Sequence, residues 1–170
     1  MSAASSGRAW GAGLCLSLLA ALGGCSGGAS ASKCGPASGV VASVVDGDTV
    51  ELESGEKLRL LLVDTQEVTS GKNECYGAEA RDYTRQLVEG KAVQLSYDEA
   101  GCTDRYGRTL AYVSVDGREV NGLLVERGFA CVLHISPAGD DRAEEFKGLQ
   151  SEAKVAKRGV WGSCTTGGCF

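Results

Sequence analysis

The sequence predicts an α+β domain, a five-stranded β-barrel accompanied by about three helices. Three observations carry this. Short β-branched or alternating segments separated by Asp-Gly and Ser-Gly turns fill the first third of the domain. A segment of helical period then intervenes before the alternation resumes. Two further helical segments, each closed by a glycine, follow the last alternating stretch.

In order, Gly39-Val40-Val41-Ala42-Ser43-Val44-Val45 is apolar and β-branched and ends at the Asp46-Gly47-Asp48 turn. Thr49-Val50-Glu51-Leu52-Glu53 alternates with period 2, as a half-exposed strand does, and Ser54-Gly55 returns the chain into Lys57-Leu58-Arg59-Leu60. Leu60 to Val63 is an unbroken apolar run, a buried strand or a short buried helix. From Tyr76 to Gly90 the apolar positions Ala80, Tyr83, Leu87 and Val88 share one helical face. Lys91 to Tyr97 and Arg108 to Val115 supply the fourth and fifth strands, and Asp116-Gly117 is a hairpin signal. Helices are expected from Val120 to Arg127 and from about Asp141 to Arg158, the latter burying Phe146, Leu149 and Ala153. Phe129 and Trp161 are expected in the core. This order of strands and helices is that of an OB-type barrel, an architecture that takes oligonucleotides on one face.

Composition sets the remaining bounds. With 170 residues and 43% hydrophobic content, one domain with a real core is expected, at 39–162. Residues 1–24 read as a secretory leader: Arg8, then the apolar stretch Leu14 to Ala21, too short to span a bilayer. Leu22-Gly23-Gly24-Cys25 resembles a bacterial lipobox, which makes Cys25 a lipidation site and the chain an exported, membrane-anchored lipoprotein; ordinary cleavage nearby, giving a secreted protein, is the alternative. Residues 25–38, rich in Gly, Ala and Ser, read as a flexible tether, and 163–170 as a cysteine-containing tail. Eight cysteines agree with export. Their spacing, with one histidine, does not suit zinc, so disulfides are expected among Cys34, Cys75, Cys102, Cys131, Cys164 and Cys169. Cys164 and Cys169 are expected to pin the C-terminus, to each other, to Cys131 or to Cys34.

Three polar clusters interrupt this pattern. Arg59 opens the apolar run that ends in Asp64-Thr65-Gln66-Glu67; Asp46-Gly47-Asp48 precedes it, and Asp104-Arg105-Tyr106-Gly107-Arg108 comes later. Alone, the first turn reads as solvated and the last as a surface hairpin. Converged, their carboxylates and guanidinium groups suit a hard cation and a phosphodiester.

These clusters, with Tyr76-Gly77-Ala78-Glu79-Ala80 and Arg158-Gly159-Val160-Trp161, resemble in content and order the staphylococcal nuclease family, over about Val41 to Trp161. The resemblance implies a nuclease that cuts DNA and RNA with low sequence specificity and uses Ca²⁺ held by Asp48, Asp64 and the backbone carbonyl of Thr65. Asp46 then orients the metal site. Glu67 matches the carboxylate that activates water, Arg59 and Arg108 the pair that grips the scissile phosphate, and Arg105, Tyr106 and His134 positions that hold the nucleotide. It further suggests a Cys75–Cys102 disulfide, since both cysteines flank segments the family fold brings to the site. Partners implied are nucleic acid and, through the N-terminal lipid anchor, a membrane; a monomer without an obligate protein partner is expected. The chain departs from the pattern at Gln66, where a proline is usual and its absence loosens the backbone, and in a shorter loop from Val68 to Cys75. Its net charge of −5 implies weak, salt-sensitive substrate binding. The competing reading is a non-catalytic OB-fold module that binds nucleic acid or protein.

Overall fold

The computed structural model describes residues 32–69, 71–165 and 169. The leader, Cys25 and the tether as far as residue 31 lie outside the described residues. The elements are β1 (Ser38–Asp46), β2 (Thr49–Leu52), β3 (Lys57–Leu60), β4 (Leu62–Asp64), α1 (Gly77–Val88), β5 (Ala92–Ser96), β6 (Thr109–Val115), β7 (Arg118–Glu119), α2 (Val120–Glu126), β8 (Cys131–Leu133), α3 (Ala143–Val155) and α4 (Val160–Ser163).

The five expected strands are β1, β2, β3, β5 and β6, and they close into a barrel. β1, β2 and β3 form an antiparallel meander. β1 also pairs with β5, and β5 with β6. The parallel pairing of β3 with β6, Leu58 opposite Thr109 and Leu60 opposite Ala111, shuts the cylinder and leaves no open edge. β1 serves two partners because register shifts near Val41 and Val44 bend it, so its start faces β5 and its remainder faces β2. Inward-pointing Val41, Val50, Leu52, Leu58, Leu60, Val93, Ala111 and Val113 fill the barrel. Leu124 of α2 and Phe146 of α3 are fully buried beneath it. Phe129 is only partly buried, stacked on Tyr83 with centroids 4.2 Å apart, and Trp161 is likewise half-buried under the Lys154 ammonium.

Three expectations are corrected. The run from Leu60 to Val63 is neither one strand nor a helix: it breaks after Leu60, and Leu62–Asp64 pairs antiparallel with Cys131–Leu133 as a separate two-stranded ribbon. Residues 32–38 are not loose tether. Ala37 accepts a hydrogen bond from the Leu95 amide at 2.9 Å, Pro36 accepts one from the Tyr97 hydroxyl at 2.7 Å, and β1 already begins at Ser38. The disulfides join Cys34 to Cys102, Cys75 to Cys164 and Cys131 to Cys169, so the Cys75–Cys102 pairing is wrong. Cys75 enters α1 beside the C-terminal helices, where the Tyr76 ring packs at Gly159, whereas Cys102 lies against the segment that runs along β5.

Candidate active site

Arg59 and Asp64 are five positions apart, an odd offset, and on one regular strand they would face opposite sides. The break between β3 and β4 brings them together. Leu62 adopts a left-handed backbone (φ 64°), re-aiming the chain. The turn is pinned from both sides: the Leu61 amide donates to the Ala111 carbonyl at 2.9 Å, and the fully buried Asn121 donates to the carbonyls of Leu61 and Ala111 at 3.0 Å each. The Arg59 guanidinium fills the inside of this turn. One terminal nitrogen donates to the carbonyls of Leu60 and Val63, while the other lies 2.9 Å from Asp64 and 3.1 Å from Asp48.

Asp48 is buried, and four donors engage its carboxylate, three of them on one oxygen. Besides Arg59, one oxygen accepts from the Thr65 amide at 2.7 Å and the Thr65 hydroxyl at 3.2 Å, and the other accepts from the Thr49 hydroxyl. The approach of the Asp46-Gly47-Asp48 turn to Thr65 demands glycine, because a Cβ at Gly47 would meet the Thr65 side chain at 2.6 Å and Ala80 at 2.9 Å. The Thr84 hydroxyl of α1 donates to the Gly47 carbonyl at 2.7 Å and holds the turn from below. Asp46 accepts from the Asp48 amide at 3.3 Å. Burial, and then the neighbouring Asp48 carboxylate, push the Asp46 carboxyl up to about 7.

Burial also raises the Asp64 carboxyl, with a further push from Asp48, a counter-pull from Arg59, and additional pushes from Glu67 and Glu74. Four carboxylates therefore share one electrostatic neighbourhood. Glu67 is held by a local ladder: its amide donates to the Glu74 carboxylate at 2.9 Å, its carbonyl accepts from the Glu74 amide at 3.0 Å, and the Thr69 hydroxyl donates to its carboxylate at 2.9 Å. Gln66 is buried, and its carbonyl fits against α1 only because residue 77 is glycine, where a Cβ would approach to 2.6 Å. These contacts fix the backbone beside Thr65 that the missing proline was expected to loosen.

Arg108 reaches the same region from the start of β6. Asp104 receives its guanidinium at 2.7 Å and its amide at 3.0 Å, and a terminal nitrogen of Arg108 donates to the Thr49 hydroxyl at 3.2 Å. Burial pushes the Asp104 carboxyl up, but the bonds from Arg108 and Tyr106 outweigh it and hold the group below the usual carboxylate range. Arg105 and Arg108 both lie over the exposed Tyr106 ring, 4.8 and 5.5 Å from its centroid. A cleft of about 500 Å³ opens here, lined by Arg59, Arg105, Tyr106, Arg108, Leu133, Ile135 and Pro137, whereas Asp48, Asp64, Thr65 and Glu67 do not line it. His134 does not line it. Alternation turns Leu133 and Ile135 towards the cleft and His134 away, where it pairs with Asp140 at 2.7 Å.

Asp48 and Asp64 offer two hard anionic oxygens around one point, next to the main chain of Thr65, a donor set that suits Ca²⁺ with positions left for water and phosphate. Among the described residues no three His, Cys, Asp or Glu side chains group as a fuller metal-holding set. The sequence reading missed Glu74, Thr84, Asp104 and Asn121 as supports. For Asn121 a signal existed, a lone amide on the buried face of a helix between Val120 and Leu124.

The sequence profile described as "Staphylococcal nuclease homologue" matches residues 57–163. The chain is 37% identical over 123 residues to the SPbeta prophage-derived endonuclease YokF of Bacillus subtilis, a match spanning 69% of this chain and 41% of that protein. It is equally identical over 123 residues to endonuclease YncB of the same organism, spanning 58% of that protein. It is 34% identical over 126 residues to a thermonuclease of Staphylococcus hyicus, spanning 71% of this chain and 73% of the other. The chain thus spans about half the length of the two Bacillus endonucleases.

Proposed function

As the chain belongs to the staphylococcal nuclease family, we propose that it is a Ca²⁺-dependent nuclease that hydrolyses phosphodiester bonds of DNA and RNA with little sequence preference. The observation that carries this reading is the meeting of Asp48 and Asp64 on one guanidinium nitrogen of Arg59, a side chain that also lines the cleft holding Arg108.

In this reading Arg59 and Arg108 grip the scissile phosphate, since guanidinium forks match phosphate oxygens and counter the charge that grows in the transition state. Glu67 orients a water and accepts its proton as the water oxygen attacks phosphorus; the opposite P–O bond breaks, and its oxygen leaves taking a proton from solvent water, to which Glu67 later returns its own. Arg105 and Tyr106 hold the nucleotide, and aliphatic Leu133, Ile135 and Pro137 offer its base no hydrogen-bond code, which favours low sequence preference. Asp48, Asp64 and the Thr65 carbonyl would hold Ca²⁺, with Asp46 orienting Asp48. When bound, the cation supplies Lewis-acid polarisation and charge neutralisation at the phosphate.

The reading extends to an exported monomer, tethered to a membrane through lipidated Cys25. The leader-like stretch before Cys25 and the pairing of the six remaining cysteines into disulfides support it. Degradation of a plasmid with Ca²⁺ against chelator tests the chemistry, with Glu67→Gln and Arg59→Ala alongside. Loss of cutting in chelator and in both variants is expected. Nucleic acid bound but left intact by the parent protein with Ca²⁺ supplied would select the binding-module reading instead.

A further inference from the structure

We propose that the Cys34–Cys102 disulfide positions the Arg105–Arg108 turn for substrate, so that the affinity of the site for nucleic acid depends on the thiol state of this pair. The inference rests on the nuclease reading and deepens it by naming what regulates the site.

Three segments next to the site each carry one half-cystine, and each partner lies near one end of the described residues. Cys75 follows Glu67 on the way into α1 and is joined to Cys164; Cys131 stands opposite Asp64 in the β4–β8 ribbon and is joined to Cys169; Cys102 precedes the Arg105–Arg108 turn and is joined to Cys34. The third differs from the others in what else holds its segment. Cys131 is itself buried, and Cys75 is followed closely by the buried Gly77. From Ser96 to Arg108, by contrast, no residue is buried.

Inside this exposed segment the turn is a unit. The Asp104 amide donates to the Arg108 carbonyl, the Gly107 amide to the Asp104 carbonyl, and the Asp104 carboxylate ties the amides of Tyr106 and Arg108 to the Arg108 guanidinium. What places that unit against the barrel is thin. It includes the Leu110 amide on the Cys102 carbonyl at 2.9 Å, the Thr103–Thr109 bridge pair, Arg108 on the Thr49 hydroxyl, the Gly139 amide on the Asp98 carboxylate at 2.7 Å, and Ser32 and Lys33 on the Glu99 carboxylate. The covalent bond is the one attachment that water cannot replace. Its far end is well founded, because residues 35–38 are fastened to β5 through Leu95 and Tyr97, and Gly35 lies so close under the Tyr97 ring that a Cβ there would come within 2.8 Å of the hydroxyl. A dithiol opens the bond: two electrons and two protons pass to the half-cystines, which become thiols, while dithiothreitol closes to its cyclic disulfide. Arg105 and Tyr106 would then have to be ordered by the substrate itself, which weakens binding more than it slows chemistry.

The test compares steady-state kinetics of the oxidised full chain with those of Cys34→Ala/Cys102→Ala, well below the melting temperature of either. KM for nucleic acid should rise about threefold to tenfold, the range expected from re-ordering a few side chains, with kcat within about twofold. Amide exchange should accelerate over residues 103–108 and stay unchanged in β1 to β3. A variant with a lower Tm but unchanged KM and unchanged exchange in the turn would overturn the proposal, since the disulfide would then act only by restricting the unfolded chain. If the variant does not fold, the parent protein is opened with dithiothreitol at a concentration that leaves its circular dichroism native. KM should then rise and should return on reoxidation; a constant KM with both thiols demonstrably free refutes the proposal. If the oxidised parent leaves nucleic acid intact with Ca²⁺ supplied, the nuclease reading has failed, and the exchange measurement still decides the positioning.

Discussion

Replacing Arg59 by Gln should destabilise the protein strongly in chelator and much less in Ca²⁺. The guanidinium separates the carboxylates of Asp48 and Asp64, whose nearest oxygens lie 3.1 and 2.9 Å from one of its nitrogens. Both oxygens therefore stand within about 6 Å of each other, where two uncompensated charges repel by about 3 kcal/mol at an effective dielectric near 20. Asp48, with a side chain only 7% exposed, feels most of this; Asp64, at 36%, is partly screened. Loss of the donors to the Leu60 and Val63 carbonyls adds to it, and removing one member of a buried pair costs about 3–5 kcal/mol in all. For a chain of this size that corresponds to a fall in Tm of about 10 °C. A divalent cation on the same two carboxylates replaces the lost charge and no longer competes with the guanidinium. Thermal denaturation of parent and variant, each in chelator and in millimolar Ca²⁺, should show a Ca²⁺-induced rise in Tm larger in the variant by at least about 5 °C. Equal increments would refute the idea that Arg59 and the ion share Asp48 and Asp64.

Asp104→Ala removes the anchor of Arg108 while leaving the arginine in place, and kcat/KM in plasmid cleavage should fall by about tenfold to a hundredfold, approaching the loss of the donor itself. Asp46 ionises near pH 7 when folded, so the stability of its neutral form is fully present below about pH 4 and is lost as pH rises through 7. In chelator, Asp46→Asn should flatten that decline and exceed the parent by about 1–3 kcal/mol at pH 8 in urea denaturation, with little gain at pH 4. Asn121→Ala takes the buried partner from the Leu61 carbonyl and the Val113 amide and leaves the Ala111 carbonyl with the Leu61 amide alone; a stability loss of about 3 kcal/mol is expected by urea denaturation, together with reduced turnover as the turn around Arg59 loosens.

The barrel was legible because β-branched and alternating segments between turns mark strands around one core, and period 2 survives translation into structure most cleanly at Ala92 to Ser96, where exposed and buried residues alternate. The break at Leu61 was not, because every residue from Leu60 to Val63 is buried on either side of the kink and hydrophobicity cannot record a change of direction. The kink is fixed by Asn121, sixty residues away, and such a contact leaves no local trace. The Gly, Ala and Ser composition before β1 hid a fixed segment for the same reason, since its anchors are Tyr97 and Cys102. The charged residues of the site stood out in the sequence because acids beside an apolar run have no packing role. Their supports Glu74 and Thr84 did not, since each also reads as an ordinary surface or helix residue, and Asp104 stood in a polar cluster whose sequence does not show that it anchors Arg108. His134 pairs with Asp140, and alternation from Cys131 to Ile135 places it opposite Leu133 and Ile135, which line the cleft.

The two arginines are anchored differently, and that asymmetry can be measured. Arg59 depends on the carboxylates that would take the ion, whereas Arg108 is fastened by Asp104, which stands apart from them and touches Asp48 only through the Thr49 hydroxyl. Neutralising Asp48 should therefore reach Arg59 directly and Arg108 hardly at all. In double-mutant cycles on stability in chelator, Asp48→Asn with Arg59→Gln should show a coupling of about 2–3 kcal/mol, as expected for a buried, contacting charge pair. Asp48→Asn with Arg108→Gln should stay near about 0.5 kcal/mol, the residue of a relay through one hydroxyl. Comparable couplings in the two cycles would mean that the cleft responds as one electrostatic unit, and that the separate seating of its two guanidinium groups has no energetic content.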